Sequence, residues 1–187
     1  MKKILVLSLG LAMLLSLGAE AQTFAKKGII ETGGVVSFSS NTAVANGNSA
    51  SNSTSTFTIS PNAGYFIMDG LQLGAVISFT SVSYSGNSTT MFAGYPQVQY
   101  YFDTQSKVYP FLGAFIGYNT ISNGGSASGI IWGGHGGVAI QVANNVLIKF
   151  AAYYDQSTLN PSGSTGGRNG YNEFGIQGGF SVFFDTN

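Results

Sequence analysis

The 187-residue chain has no cysteine, one histidine, one tryptophan and four prolines, and only 7% of it is Asp, Glu, Lys or Arg. Each shortage excludes something. Without cysteine there is no disulfide framework and no thiolate metal centre. A soluble domain carries roughly 25% charged residues and uses them to keep its surface dispersed in water. The few charges here also balance, seven basic against seven acidic. That leaves no basic patch for nucleic acid and no acidic tail. Beyond the first 17 residues no apolar run approaches the roughly 18 residues that a membrane-spanning helix needs.

What is abundant is glycine (27), phenylalanine (14) and tyrosine (10), together with Ser, Thr and Asn. The aromatic content argues against a disordered Gly/Ser-rich chain. It fits a lipid-facing surface around a crowded interior. Met1 to Ala21 reads as a secretory leader: Lys2 and Lys3 form a basic start, Ile4 to Leu17 an apolar run, and Ala19-Glu20-Ala21 a small-x-small cleavage pattern. With no cysteine after it, the leader is not of the lipoprotein type. The processed chain is expected to begin near Gln22, and residues 22–187 make one domain.

The last segment shows the organising pattern. Phe174, Ile176, Phe180, Val182 and Phe184 are apolar, whereas Glu173, Gly175, Gln177, Gly179 and Ser181 are small or polar. A period of two puts one apolar face and one polar face on an extended strand. Eight such strands are expected, near Gly28–Ser39, Ser55–Ile67, Leu71–Tyr84, Thr90–Phe102, Val108–Asn119, Gly129–Val142, Val146–Gln156 and Tyr171–Phe184. Each is close to the length that a tilted strand needs to cross a bilayer. Tight connections (Met68-Asp69-Gly70, Asp103–Lys107, Ala143-Asn144-Asn145) alternate with long polar ones (Asn41–Thr54, Thr120–Ser128, Ser157–Gly170). The Ser85–Thr89 link is intermediate.

Strand seven splits into Val146, Ile148, Phe150, Ala152 and Tyr154 against Leu147, Lys149, Ala151, Tyr153 and Asp155. Strand six sends Ile130, Trp132, Val138, Ile140 and Val142 outward, with Gly133, His135, Gly137, Ala139 and Gln141 inward. Strand five is apolar on both faces (Phe111 and Phe115 against Leu112 and Ile116), so periodicity does not orient it. A soluble β-sandwich also alternates, but its outward residues would be polar. Here the polar face is the glycine-rich one, as a narrow lumen requires. These features make an all-β fold, an eight-stranded antiparallel up-and-down transmembrane β-barrel, with both chain ends on the tight-turn side.

Tyr109-Pro110-Phe111-Leu112-Gly113-Ala114-Phe115-Ile116-Gly117-Tyr118 and the aromatic-ended final strand resemble the small outer-membrane β-barrel family, the porin-like barrels related to the membrane domains of OmpA, OmpX and OmpW. The resemblance spans Gly28 to Phe184. It implies a monomer in the bacterial outer membrane, in contact with the lipid bilayer and inserted by the outer-membrane assembly machinery. Phe184 would stand for the terminal aromatic which that machinery reads, although Asp185-Thr186-Asn187 follow it.

Four ionisable side chains are assigned to the inner face: Glu31, His135, Lys149 and Glu173. Buried charge is costly unless paired, so a lumenal network is expected, with Lys149 on Glu173 or Glu31. His135 lies between glycines with no nucleophile or carboxylate at a useful spacing. Gly134-x-Gly136-x-x-Ala139 matches a dinucleotide fingerprint only formally, since a strand rather than a helix should follow it. No cofactor, metal or catalytic residue is expected. The function anticipated is non-enzymatic: envelope structure, or contact with a surface ligand through the loops. Passage of small or apolar solutes is the alternative, and a lipid-modifying enzyme is the third.

Overall fold

The computed structural model describes residues 24–45, 48–84, 87–122, 126–161 and 169–185, so the expected leader lies outside the described residues. The strands are β1 (Ile29–Ala45), β2 (Asn48–Met68), β3 (Leu71–Tyr84), β4 (Asn87–Tyr101), β5 (Val108–Ser122), β6 (Ser126–Ala143), β7 (Val146–Pro161) and β8 (Asn169–Asp185). Each pairs antiparallel with the next, and β8 returns to β1 to close the barrel. Closure removes the free edges that would otherwise leave backbone groups unpaired in lipid.

The tight turns lie where the sequence places them. Asp69-Gly70 joins β2 to β3, with Gly70 at φ 79°. That left-handed backbone suits the second position of an Asp-Gly hairpin turn and is strained for other residues. The other side differs from expectation. The Asn41–Thr54 stretch is largely strand: Asn41 pairs Thr54, Thr42 pairs Ser53, and Ala45 pairs Asn48. Likewise Ser122 pairs Ser126, Leu159 pairs Asn169, and Tyr84 pairs Asn87. Polar composition was read as loop, but a strand clear of hydrocarbon keeps its ladder without an apolar face.

One seam is short. Pairing of β1 with β8 runs from Ile29↔Asp185 to Val36↔Gly178 and stops, although both strands continue. Beyond it β1 pairs only with β2, and β8 only with β7.

The strand pattern sorts the charges. The outward faces carry Leu73, Ile77, Phe92, Leu112, Ile116, Trp132, Phe150 and Phe180, all exposed. No Asp, Glu, Lys or Arg points outward from a strand among the described residues; those of the strands face the lumen, save Asp185 at the very end of β8. A water-soluble monomer seldom exposes an apolar patch beyond a few hundred Å², so this continuous belt is a hydrocarbon-facing surface. β5 is oriented by its neighbour. Phe111 and Phe115 turn inward, opposite Gly137 and Gly133 of β6. A Cβ at Gly133 would stand 2.8 Å from the Phe115 ring. At these two positions the ring has room because the facing residue is glycine.

Leu112 is 60% exposed in the middle of the belt. Leu112→Arg should cost about 2–4 kcal/mol in a bilayer, as expected for a guanidinium near the midplane. Urea titration in lipid vesicles, followed by loss of the heat-modifiable gel band, measures it; an unaffected midpoint would mean that water bathes this face.

Candidate functional site: the layered lumen

From the turn end inward, the barrel is corked by its own N-terminal segment. Phe24 is buried and contacts four rings, with centroids at 5.4 Å (Phe66), 5.1 Å (Tyr101), 4.9 Å (Tyr109) and 5.0 Å (Phe183). Residues 24–28 are held there by backbone bonds: Gly28 N–H donates to the Phe66 carbonyl (3.0 Å) and Gly70 N–H to the Ala25 carbonyl (2.7 Å). Lys26 pairs with Asp69 at 3.3 Å and reaches Asp103 at 3.8 Å. The backbone N–H of Lys27 donates to Asp69, and with the Lys26 ammonium it holds that exposed carboxyl below its ordinary range.

Above the cork lies a charged layer. The Lys149 ammonium forms an ion pair with Glu31, whose side chain is 1% exposed against 14% for Lys149. Glu31 also accepts from Gln72 Nε2 (2.7 Å) and from the Tyr101 hydroxyl (3.1 Å), and Lys149 donates to that same hydroxyl (2.7 Å). In register, Lys149 sits beside Gly179 of β8, and Glu31 of β1 sits beside Phe183. The partners therefore meet diagonally across β8, over Gly179 and Ser181, whose small side chains leave room. The same Tyr101 hydroxyl lies 3.3 Å from Gln99 Oε1, and Gln99 Nε2 lies 3.2 Å from His135 Nε2.

His135 belongs to the next, aromatic layer. Its ring lies 6.2 Å from that of Phe115 and 5.9 Å from that of Phe111, and Phe115 stacks on Tyr95 at 4.4 Å. Among the described residues its side-chain hydrogen bond is to Gln99 rather than to a serine. The glycines around it continue as strand β6, with no helix to receive a dinucleotide.

The loop-side half is a cavity of about 670 Å³ with a mixed polar and apolar lining. Hydroxyls pair across β2 and β3, Thr58 with Thr80 (3.0 Å) and Ser60 with Ser78 (2.8 Å). Asn119 donates to Ser157 at 2.6 Å. Glu173 is placed here, directly opposite Asp155 in the β7–β8 register, and it accepts from the Tyr153 hydroxyl at 2.5 Å. Of the four ionisable residues named from the sequence, Glu31 and Lys149 are brought into contact and His135 is linked to them through Gln99 and Tyr101. Glu173 is not. It stands six positions along β8 from the residue beside Lys149, or roughly 20 Å at strand rise. Parity places Asp155 on the inner face with Lys149, yet it is not among the ionisable residues expected at the site. The partners Gln72, Gln99 and Tyr101 and the cork Phe24 are not signalled as site residues by the sequence.

Losing one member of a buried ion pair strands the other, typically at a cost of about 3–5 kcal/mol. Lys149→Met should therefore lower the unfolding midpoint in detergent sharply. Adding Glu31→Gln to it should restore part of the loss. A Lys149→Met barrel as stable as the wild type would mean that the pair carries no stability.

No family model matches the chain, and a search of curated proteins gives no match. Solved structures do share its fold. Neisserial surface protein A superposes with a TM-score of 0.59 at 19% identity over 83% of this chain and 97% of the other. The outer membrane protein OprG from Pseudomonas aeruginosa gives 0.51 at 17% identity, covering 86% and 98%. The N-terminal β-barrel domain of Pseudomonas aeruginosa OprF gives 0.51 at 14%, covering 84% and 98%. The chain has the fold of the small eight-stranded outer-membrane barrels.

Proposed function

We propose that this protein is a non-enzymatic barrel of the bacterial outer membrane, sealed toward its turn side and open toward its loop side. In that orientation it serves the cell envelope as a structural element and presents the loop-side cavity to the exterior. The observation that carries this is the stack of cork and charged layer. Phe24, Phe66, Tyr109 and Phe183 close the lumen, and the Glu31–Lys149–Tyr101 cluster closes it a second time. An eight-stranded barrel is just wide enough for its own side chains, so two such layers leave no aqueous path. Full-length protein in planar bilayers should show no discrete openings, and regular single-channel steps would overturn the sealed barrel.

Passage of small apolar solutes finds support in the short seam. The cavity is lined by Phe174 and Ile176, which are 75% and 82% exposed, and by Ser37, just past the last β1–β8 pair. A solute could move sideways there, between cavity and bilayer, without crossing the cork. A thiol cross-link between Ser37→Cys and Gln177→Cys should abolish uptake of an apolar dye into proteoliposomes if this route operates. Equal uptake with and without the cross-link would remove it.

A further inference from the structure

We propose that the loop-side half of the lumen binds a small organic cation. Its ammonium group would sit on the carboxylates of Asp155 and Glu173, and its apolar part against the rings of Tyr95, Phe115 and Tyr153. The cavity's charge pattern leads there. Asp155 is 9% exposed, it lines the cavity, and its Oδ1 has no hydrogen-bond partner. A second carboxylate, Glu173, faces it directly in register. No Lys or Arg is among the residues lining the cavity. The lumenal amine Lys149 is engaged by Glu31 and Tyr101 six positions closer to the turn on the same strand. Two facing carboxylates repel each other, and the buried one, Asp155, is poorly solvated, while Glu173 stands exposed toward the open mouth of the cavity. The Glu31–Lys149 layer shows the opposite arrangement, with its charge compensated from within the chain. Among the described residues no Lys or Arg compensates the upper layer, which leaves that role to a ligand.

The surroundings select the kind of cation. A hard metal ion wants six or more oxygen ligands, and among the described residues no group of three His, Cys, Asp or Glu side chains is placed to hold one. An ammonium needs fewer oxygens and is also attracted to aromatic faces, and the stacked Tyr95–Phe115 pair lines the same space. Hydroxyls of Thr58, Thr80, Ser60 and Ser78 line the opposite wall. The volume, about 670 Å³, falls within the range of roughly 300–1,000 Å³ typical of small-molecule sites.

The site rests on the reading of a lumen closed beneath the cavity, and two measurements separate the two claims: bilayer conductance tests closure, whereas calorimetry in micelles tests binding. Full-length protein folded in detergent is titrated with phenethylamine, with the uncharged 2-phenylethanol, and with calcium chloride. Phenethylamine should bind saturably, and the alcohol at least about tenfold more weakly, as expected for loss of a desolvated charge pair. Asp155→Asn and Glu173→Gln should each weaken the amine, Asp155→Asn by about tenfold or more, while keeping the heat-modifiable gel band. Should Asp155→Asn fail to fold, Glu173→Gln decides alone. Equal affinity for amine and alcohol, undiminished amine binding in the folded variants, or saturable calcium binding that excludes the amine would each overturn the proposal.

Discussion

Hydrocarbon on the outside is the constraint from which the rest of this molecule follows. Side chains such as Leu112, Ile116, Phe150 and Phe180 are tolerable on an exterior only where water is absent. Once they are placed there, a period of two puts the charged strand residues inward, with polar partners such as Gln72 and Gln99. The interior then has to do what a soluble protein does at its surface: find partners for its ions. Glu31, Gln72, Tyr101 and Lys149 do so within the chain. The scarcity of charge and, among the described residues, its confinement to lumen and turn side are two views of one requirement.

A narrow lumen adds a requirement of volume. Eight strands enclose room for side chains and little else, so some bulky residues are matched by glycine on the next strand. Phe111 against Gly137 and Phe115 against Gly133 meet it in the middle. Gly179 and Ser181 meet it beneath the Glu31–Lys149 diagonal. Glycine here sets where rings can lie, and the rings in turn position His135 and Gln99. The packing also relaxes toward the loop side, where Ser, Thr and Asn replace rings and a cavity opens.

Periodicity made the fold legible because each strand carries its own orientation. β3 was placed at Leu71–Tyr84, its observed bounds. Where both faces are apolar, as in β5, one strand's pattern is insufficient, and the answer lies in the glycines of β6. Strand ends beyond the bilayer were read as loops because only lipid enforces alternation. The site was half legible. Parity showed that Glu31, Lys149 and Glu173 point inward, but depth comes from register, and register put Glu173 beside Asp155. Phe24 precedes the first strand, where no period exists to flag it, and its role depends on the chain folding back under the barrel.

The distribution of charge between the barrel's two ends has a consequence for topogenesis. Lys26, Lys27, Asp69, Asp103, Lys107 and Asp185 all cluster on the tight-turn rim, and the hairpin tips of the opposite rim show no ionic side chain among the described residues. Carrying a charge through hydrocarbon costs several kcal/mol, roughly 2–4 for a basic residue at the midplane, whereas Ser, Thr and Asn cross more cheaply. Apart from Arg168 in the β7–β8 connection, a barrel entering a bilayer by its loop-side tips would carry hydroxyls and amides across rather than ions, and would leave the ionic rim on the side of entry. That difference in translocation work between the two rims would set its sidedness.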